Sequence, residues 1–390
     1  MDPSVTFLNH GSFGSCPRAV LECQDAWRER LERQPVRFLV LELEELLDDA
    51  RAGLAQFVGA EADNLVFVPN ATAGVNSVLR SLRFEPGDEL LVTNQEYNAC
   101  RNALDFVAAR SGARVVEAAI PFPFESVEQV VGAIVTKVTP RTRLALLDHV
   151  TSQTGAVMPI ERLVCELSGR GIDTLVDGAH APGMVPLNLR QIGPTYYTGN
   201  CHKWLCAPKG AAFLCVQPER QSLIRPLSIS HGANSPRTDR SRFQIEFGWT
   251  GTHDPSAWLC VPTAINYLGS LLPGGWPEIM KRNRDLALAG RRLLCDALQV
   301  PTPCPDDFIG SLAAMALPDS TEPAPLPSPL YLDALQDRFR LQYDIEVPII
   351  PWPAYPKRLL RVSAQLYNSL PQYEKLSAAL KAELPSLAPS

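Results

Sequence analysis

At 390 residues the chain exceeds the ~250–300 at which a single hydrophobic core stops growing, so two unequal lobes are expected. Hydrophobic residues at 46% and charged residues at 20% are those of an ordinary globular protein, and a net charge of −6 excludes a general nucleic-acid binder, which needs a basic face. No apolar run is long enough to cross a bilayer, and Met1-Asp2-Pro3-Ser4 lacks the basic region and apolar core of a signal peptide, so a cytoplasmic location is expected.

The first elements read as helices. An amphipathic pattern runs from Arg18 to about Gln34, where Pro35 stops it, and a second runs from Leu41 to Phe57 with Gly59 as its C-cap. Alternation follows. Leu65–Val68 reads as a strand, then come a helix through Val75–Leu79, the turn Pro86-Gly87-Asp88 and strand Glu89–Thr93. Helix Cys100–Ala109, strand Arg114–Ala119, helix Val127–Val138, strand Leu144–Asp148, helix Ile160–Gly169 and strand Thr174–Asp177 continue it. Short apolar strands alternating with helices predict an α/β protein with a mostly parallel sheet covered on both faces.

Beyond Leu268 the pattern changes. Leu271-Leu272-Pro273-Gly274-Gly275 breaks the chain, and a helix from Trp276 to Leu298 opens a smaller α+β lobe. The expected organisation is an N-terminal segment over 1–17, a large domain over 18–268 and a small domain over 269–390. The prolines between Pro318 and Pro329 read as a surface loop, because strand and helix patterns resume after them. Ten cysteines include no Cys-x-x-Cys pair, and several, such as Cys165 and Cys215, sit inside apolar patterns. They read as buried, reduced thiols, with no metal site.

All six histidines, His10, His149, His180, His202, His231 and His253, fall where a strand would end or a loop begin. In open α/β sheets, ligands bind beyond the carboxyl ends of the strands. The densest constellation is Asp177-Gly178-Ala179-His180 followed by Asn200-Cys201-His202-Lys203-Trp204. An aspartate closing an apolar strand is poorly solvated and needs a partner; the ring nitrogen of pyridoxal phosphate is one, and a protonated ring is the better electron sink. A lysine among few charges has a lowered pKa, so its neutral amine attacks an aldehyde. Singly, Asp177 reads as a turn cap and Lys203 as a surface lysine; as a pair they point to this cofactor.

These motifs resemble a known group. Phe7-Leu8-Asn9-His10-Gly11-Ser12-Phe13-Gly14, Asp177-Gly178-Ala179-His180, Cys201-His202-Lys203-Trp204, Trp249-Thr250-Gly251-Thr252 and Leu360-Arg361-Val362-Ser363 with Leu366-Tyr367-Asn368 are similar to fold-type I, class V aminotransferase-like enzymes, isopenicillin N epimerase-like branch. They span almost the whole chain in the expected order. The resemblance implies a mostly parallel seven-stranded sheet in the large domain, pyridoxal 5'-phosphate as cofactor, an amino-acid substrate and a homodimer with shared sites.

It also implies roles. Lys203 carries the cofactor as a Schiff base, and Asp177 pairs with its ring nitrogen. Ala71 and Thr72, following a strand and opening a helix, hold the phosphate through free amides and a hydroxyl, with Thr72 as a plain N-cap the alternative. Asn200 and His202 add donors, and Thr252 reaches over from the neighbouring subunit. Tyr97 stacks on the cofactor face, or is a core aromatic. Ser152 and His180 lie near its phenolic oxygen, and both differ in type from the Asn and Gln of cysteine desulfurases. Arg361 grips the substrate carboxylate, since a guanidinium fork fits it. His10 and Ser12 belong to a segment that closes over the substrate or merely packs, and Trp352 lines a substrate pocket shaped by a proline-rich loop.

The motifs leave the reaction open. Epimerisation ranks first, then β-elimination by a carbon–sulfur lyase on cysteine-like or sulfoxide substrates, then transamination; a non-catalytic cofactor-binding protein ranks last. Persulfide chemistry is disfavoured, because Ile345–Pro353, the stretch preceding the arginine, has no cysteine and Cys304 lies outside any matching motif.

Overall fold

A computed structural model describes residues 1–323 and 333–384, so the later part of the proline-rich stretch, from 324 to Pro329, lies outside the described residues. The strands in chain order are β1 (Thr6–Phe7), β2 (Leu65–Val68), β3 (Glu89–Thr93), β4 (Arg114–Ala118), β5 (Thr142–Asp148) and β6 (Asp173–Asp177). They continue with β7 (Tyr196–Asn200), β8 (Ala212–Val216), β9 (Leu312–Leu317), β10 (Ile345–Glu346), β11 (Ile349–Pro351) and β12 (Arg358–Ser363).

The central sheet has seven strands in the order β2-β8-β7-β6-β5-β3-β4. β3 pairs parallel with β4 and β5, and β5-β6-β7 continue parallel, while β8 runs antiparallel to both β7 and β2. Every residue of β2, β3 and β7 is buried, as expected for strands covered on both faces. Because β2, β3, β5, β6 and β7 all point the same way, Val68, Thr93, Asp148, Asp177 and Asn200 end on one edge. The order reverses between β3 and β5, which opens a crevice at that edge.

Two helical readings needed adjustment. The first helix, Arg18–Arg33, ends before Pro35, yet Pro35 then opens the next turn, Pro35–Arg37, and a π-turn over Phe38–Glu42 leads into Leu43–Val58. Proline stops one helix but is accepted at the first position of another, where its missing N–H costs nothing. Gly59 closes Leu43–Val58 at φ +64°, the left-handed cap expected of it. Cys165 is not buried. Ile160, Leu163, Val164 and Leu167 fill the inner face of helix Ile160–Ser168, and Cys165 falls on its solvent side.

A second, antiparallel sheet, β11-β12-β9, places Arg361 on its central strand opposite Ala314. Helices Gly275–Leu298 and Leu370–Glu383 pack together in this lobe. The start of the chain joins it: β1 pairs parallel with β10, Leu8 O accepts from Ser363 N at 2.9 Å, and Phe7 O accepts from Asn368 Nδ2 at 2.9 Å. The stretch expected as a proline-rich loop is therefore mostly strand, β10 and β11. All ten cysteines are free thiols, and no helix among the described residues is long and apolar enough to cross a membrane.

Candidate active site

A cavity of about 740 Å³ opens at the carboxyl edge of the large sheet. Lys203 lies just past β7 and His180 just past β6; Lys203 Nζ is 3.0 Å from His180 Nε2. Burial, then the Arg361 charge, pushes the Lys203 amine down to about 8, with Asp177 pulling the other way. Asp177 is buried at the end of β6, where its Oδ1 accepts from Ala179 N at 2.9 Å and its Oδ2 from Cys100 Sγ at 3.1 Å. Burial raises its pKa, against those hydrogen bonds and the charge of Lys203.

Helix Ala71–Ser81 begins at the cavity wall. The expected free amides are partly taken: Ala71 N donates to Asn200 Oδ1 at 2.9 Å, and Ala73 N to Asn70 Oδ1 at 2.8 Å. Asn70, not Thr72, is the N-cap, and this leaves the Thr72 hydroxyl at the cavity wall. His202 Nδ1 lies 3.0 Å from Ala211 O, a carbonyl that only accepts, so Nδ1 holds the proton of the neutral ring. Burial keeps His202 at about 4. Donation from Nε2 requires a second proton, which an adjacent dianion favours.

Arg361 reaches the cavity's side from the small lobe. Its Nη1 donates to Ser152 O and its Nη2 to Ser12 Oγ at 2.9 Å, with Asn9 Oδ1 at 3.4 Å. His10 does not line the cavity but supports it from behind. Its Nε2 lies 3.1 Å from Lys203 O and its Nδ1 2.8 Å from Tyr367 OH, while burial holds it down to about 4.

The structure thus brings Ser12, Ala71, Thr72, Tyr97, Ser152, Asp177, His180, Asn200, His202 and Lys203 to one cavity. Arg361 and His10 do not line it but bond residues that do, and two further expected residues lie outside it. Trp352, just past β11, is half-buried and does not line this cavity; its backbone N–H donates to Lys357 O at 2.9 Å. Thr252 is exposed and does not line its own chain's cavity. Of the histidines, His10, His180 and His202 gather at Lys203 and His149 bonds the Tyr197 hydroxyl at 2.9 Å, whereas His231 and His253 lie elsewhere. Sequence reasoning missed Asp148, Glu96 and Lys209. Asp148 and Lys209 line the cavity, and Glu96 is buried next to Asp148 and Asp177. The donor set fits pyridoxal phosphate: a depressed amine, a buried carboxylate, the Thr72 hydroxyl at the start of a helix, and a second lysine, Lys209, in the cavity lining.

The family profile described as Aminotransferase class-V matches residues 18–294. Isopenicillin N epimerase of Amycolatopsis lactamdurans is 37% identical over 395 residues, covering 98% of this chain and 96% of that protein. The probable chloroplastic L-cysteine desulfhydrase of Arabidopsis thaliana is 31% identical, covering 97% of this chain and 83% of that protein. Among solved structures, the complex of the cystine C–S lyase C-DES with cysteine persulfide superposes with a TM-score of 0.80 at 21% identity, over 97% of each chain. That likeness concerns the fold.

Proposed function

Because the chain belongs to the class V aminotransferase family and is a pyridoxal 5'-phosphate-dependent enzyme, we propose that it acts at the α-carbon of an amino acid as an isopenicillin N epimerase-like epimerase or racemase. The observation that carries this is the convergence of Lys203 Nζ and the Asp177 carboxylate on one cavity, with the Arg361 guanidinium at its side. These are an amine for an aldehyde, an anion for a ring nitrogen and a cation for a substrate carboxylate. The choice of epimerisation leans on the full-length likeness to two epimerases.

When bound, the cofactor supplies an electron sink for the pair left behind at the α-carbon. Lys203 would anchor it and Asp177 would hold its ring nitrogen. Thr72, Asn200 and His202 would serve its phosphate, with the Ala71 turn shaping that end. Ser152 and His180 would face its phenolic oxygen and Tyr97 its ring. Arg361, braced by Ser12, orients the substrate so that its α-proton meets the neutral Lys203 amine. A proton returned to the opposite face inverts the centre. In this reading the active form is a homodimer, the exposed Thr252 serving the neighbouring subunit's phosphate end.

β-Elimination is the second reading, favoured by desulfhydrase relatives that match over nearly the whole chain. Persulfide transfer is not proposed. Cys304 is buried, its thiol is pushed up to about 11 by burial, and it lies within reach of Arg291, not of the cavity.

An absorption spectrum of the purified protein, before and after borohydride, tests the anchor. A visible band that borohydride abolishes and Lys203→Ala lacks is expected; the same band in the variant would remove Lys203 from its role. Solvent-deuterium incorporation with inversion supports the epimerase, and pyruvate with sulfide release supports the lyase.

A further inference from the structure

The pair formed by Lys203 and His180 has a third member. Trp204 is buried, and its indole Nε1 lies 3.4 Å from His180 Nδ1, while His180 Nε2 lies 3.0 Å from Lys203 Nζ. An indole N–H only donates. His180 Nδ1 therefore accepts and carries no proton. Burial first, then the charges of Lys203 and Arg361, hold the ring neutral. A neutral imidazole has one N–H, so it sits on Nε2 and points at Lys203 Nζ. That donor is satisfied only by an amine with a lone pair.

We infer that Trp204 is a positioning residue: its N–H fixes the Nε2–H tautomer of His180, which in turn favours the uncharged amine of Lys203. An ammonium would face Nε2–H donor to donor. Relief would require the proton to move to Nδ1, where it would face the indole N–H. Either way one buried hydrogen bond is lost. The other groups facing Lys203 act in both directions: Arg361 disfavours the ammonium, while Asp177, Cys100 and Asp148 favour it. His10 and His202 are both held neutral by burial. The inference deepens the reading of Lys203 as cofactor anchor, but its test needs no cofactor.

Nitrogen-15 spectra of the histidine-labelled full-length chain, assigned with His180→Gln, read the tautomer directly. The expected result is a protonated Nε2 and a bare Nδ1. Trp204→Phe should mix the tautomers and raise the Lys203 Nζ titration midpoint by on the order of one unit, the worth of one hydrogen bond. Since phenylalanine also leaves a void, a second protein carries benzothienylalanine at position 204, which keeps the ring shape without the N–H. A wild-type proton on Nδ1, or an unchanged tautomer and midpoint in a folded benzothienylalanine protein, would overturn the proposal. Absence of the borohydride-sensitive band alongside the expected nitrogen shifts would sink only the cofactor-anchor reading.

Discussion

Asp148 and Asp177 are register partners at the carboxyl ends of adjacent parallel strands, β5 and β6, so two carboxyl groups share one buried site. Glu96, from the loop after β3, adds a third. Burial, then Asp148 and Asp177, hold Glu96 far above the usual carboxylate range; burial, then Asp177, does the same for Asp148.

These raised values set a pH dependence. Above the ordinary carboxylate range the folded chain keeps protons that the unfolded chain releases, so stability falls as pH rises from about 4 through the folded values. Glu96→Gln, which carries no proton to lose, should flatten that fall and stabilise the cofactor-free protein near neutral pH. Urea unfolding across the pH range decides it; superimposable curves for variant and wild type would refute the shared-site reading.

The Lys203 amine, held at about 8, becomes uncharged as pH rises through that value. The rate at which borohydride traps pyridoxal phosphate on Lys203 should rise across the same range. Arg361→Met removes the cation that disfavours the ammonium, and should move this midpoint upward by about one unit. A midpoint that stays in place would show that the Arg361 charge does not depress the amine.

Ser12 holds one arm of the Arg361 fork at 2.9 Å. Ser12→Ala should raise KM for the amino-acid substrate roughly tenfold, the worth of one charged hydrogen bond, with a smaller change in kcat. If instead kcat falls and KM holds, Ser12 acts on the chemical step and not on carboxylate orientation.

Gly14 has φ +68°, and a Cβ there would sit 2.8 Å from Lys203 O and closer still to His202 O. Gly14→Ala should destabilise the fold by at least ~1–3 kcal/mol, because φ +68° with ψ 172° is a backbone conformation essentially restricted to glycine. It should also weaken cofactor retention, because the backbone it strikes carries His202 and Lys203. Thermal unfolding with and without pyridoxal phosphate measures both; an unchanged melting temperature would mean the N-terminal segment is not seated against that loop.

Lys203, Asp177 and their neighbours were legible because each lies in a short segment whose own pattern, an acid closing an apolar strand or a lysine among histidine and tryptophan, announces unusual solvation. Asp148 closes β5 in the same way and was passed over. A strand end does not say which strand lies beside it, and only the β5–β6 pairing makes the two acids one site. Lys209 was missed for a similar reason: its partner, Gly14 O at 3.1 Å, lies 195 positions away. Cys165 was misplaced because helical phase, set by which face meets the sheet, decides burial more sharply than a local apolar run.

What the sequence determined by itself was local: the alternation of strands and helices, the Gly59 cap, the family motifs and the residue types of the site. Those depend on side-chain periodicity and on backbone preferences within a few residues. The tertiary structure alone decided that β1 joins β10 in the small lobe, that Ser12 and Ser152 hold Arg361, and that Asn200 takes the Ala71 amide. Each of these is a contact between distant segments, and strand order and lobe packing, which no short stretch encodes, choose the partner.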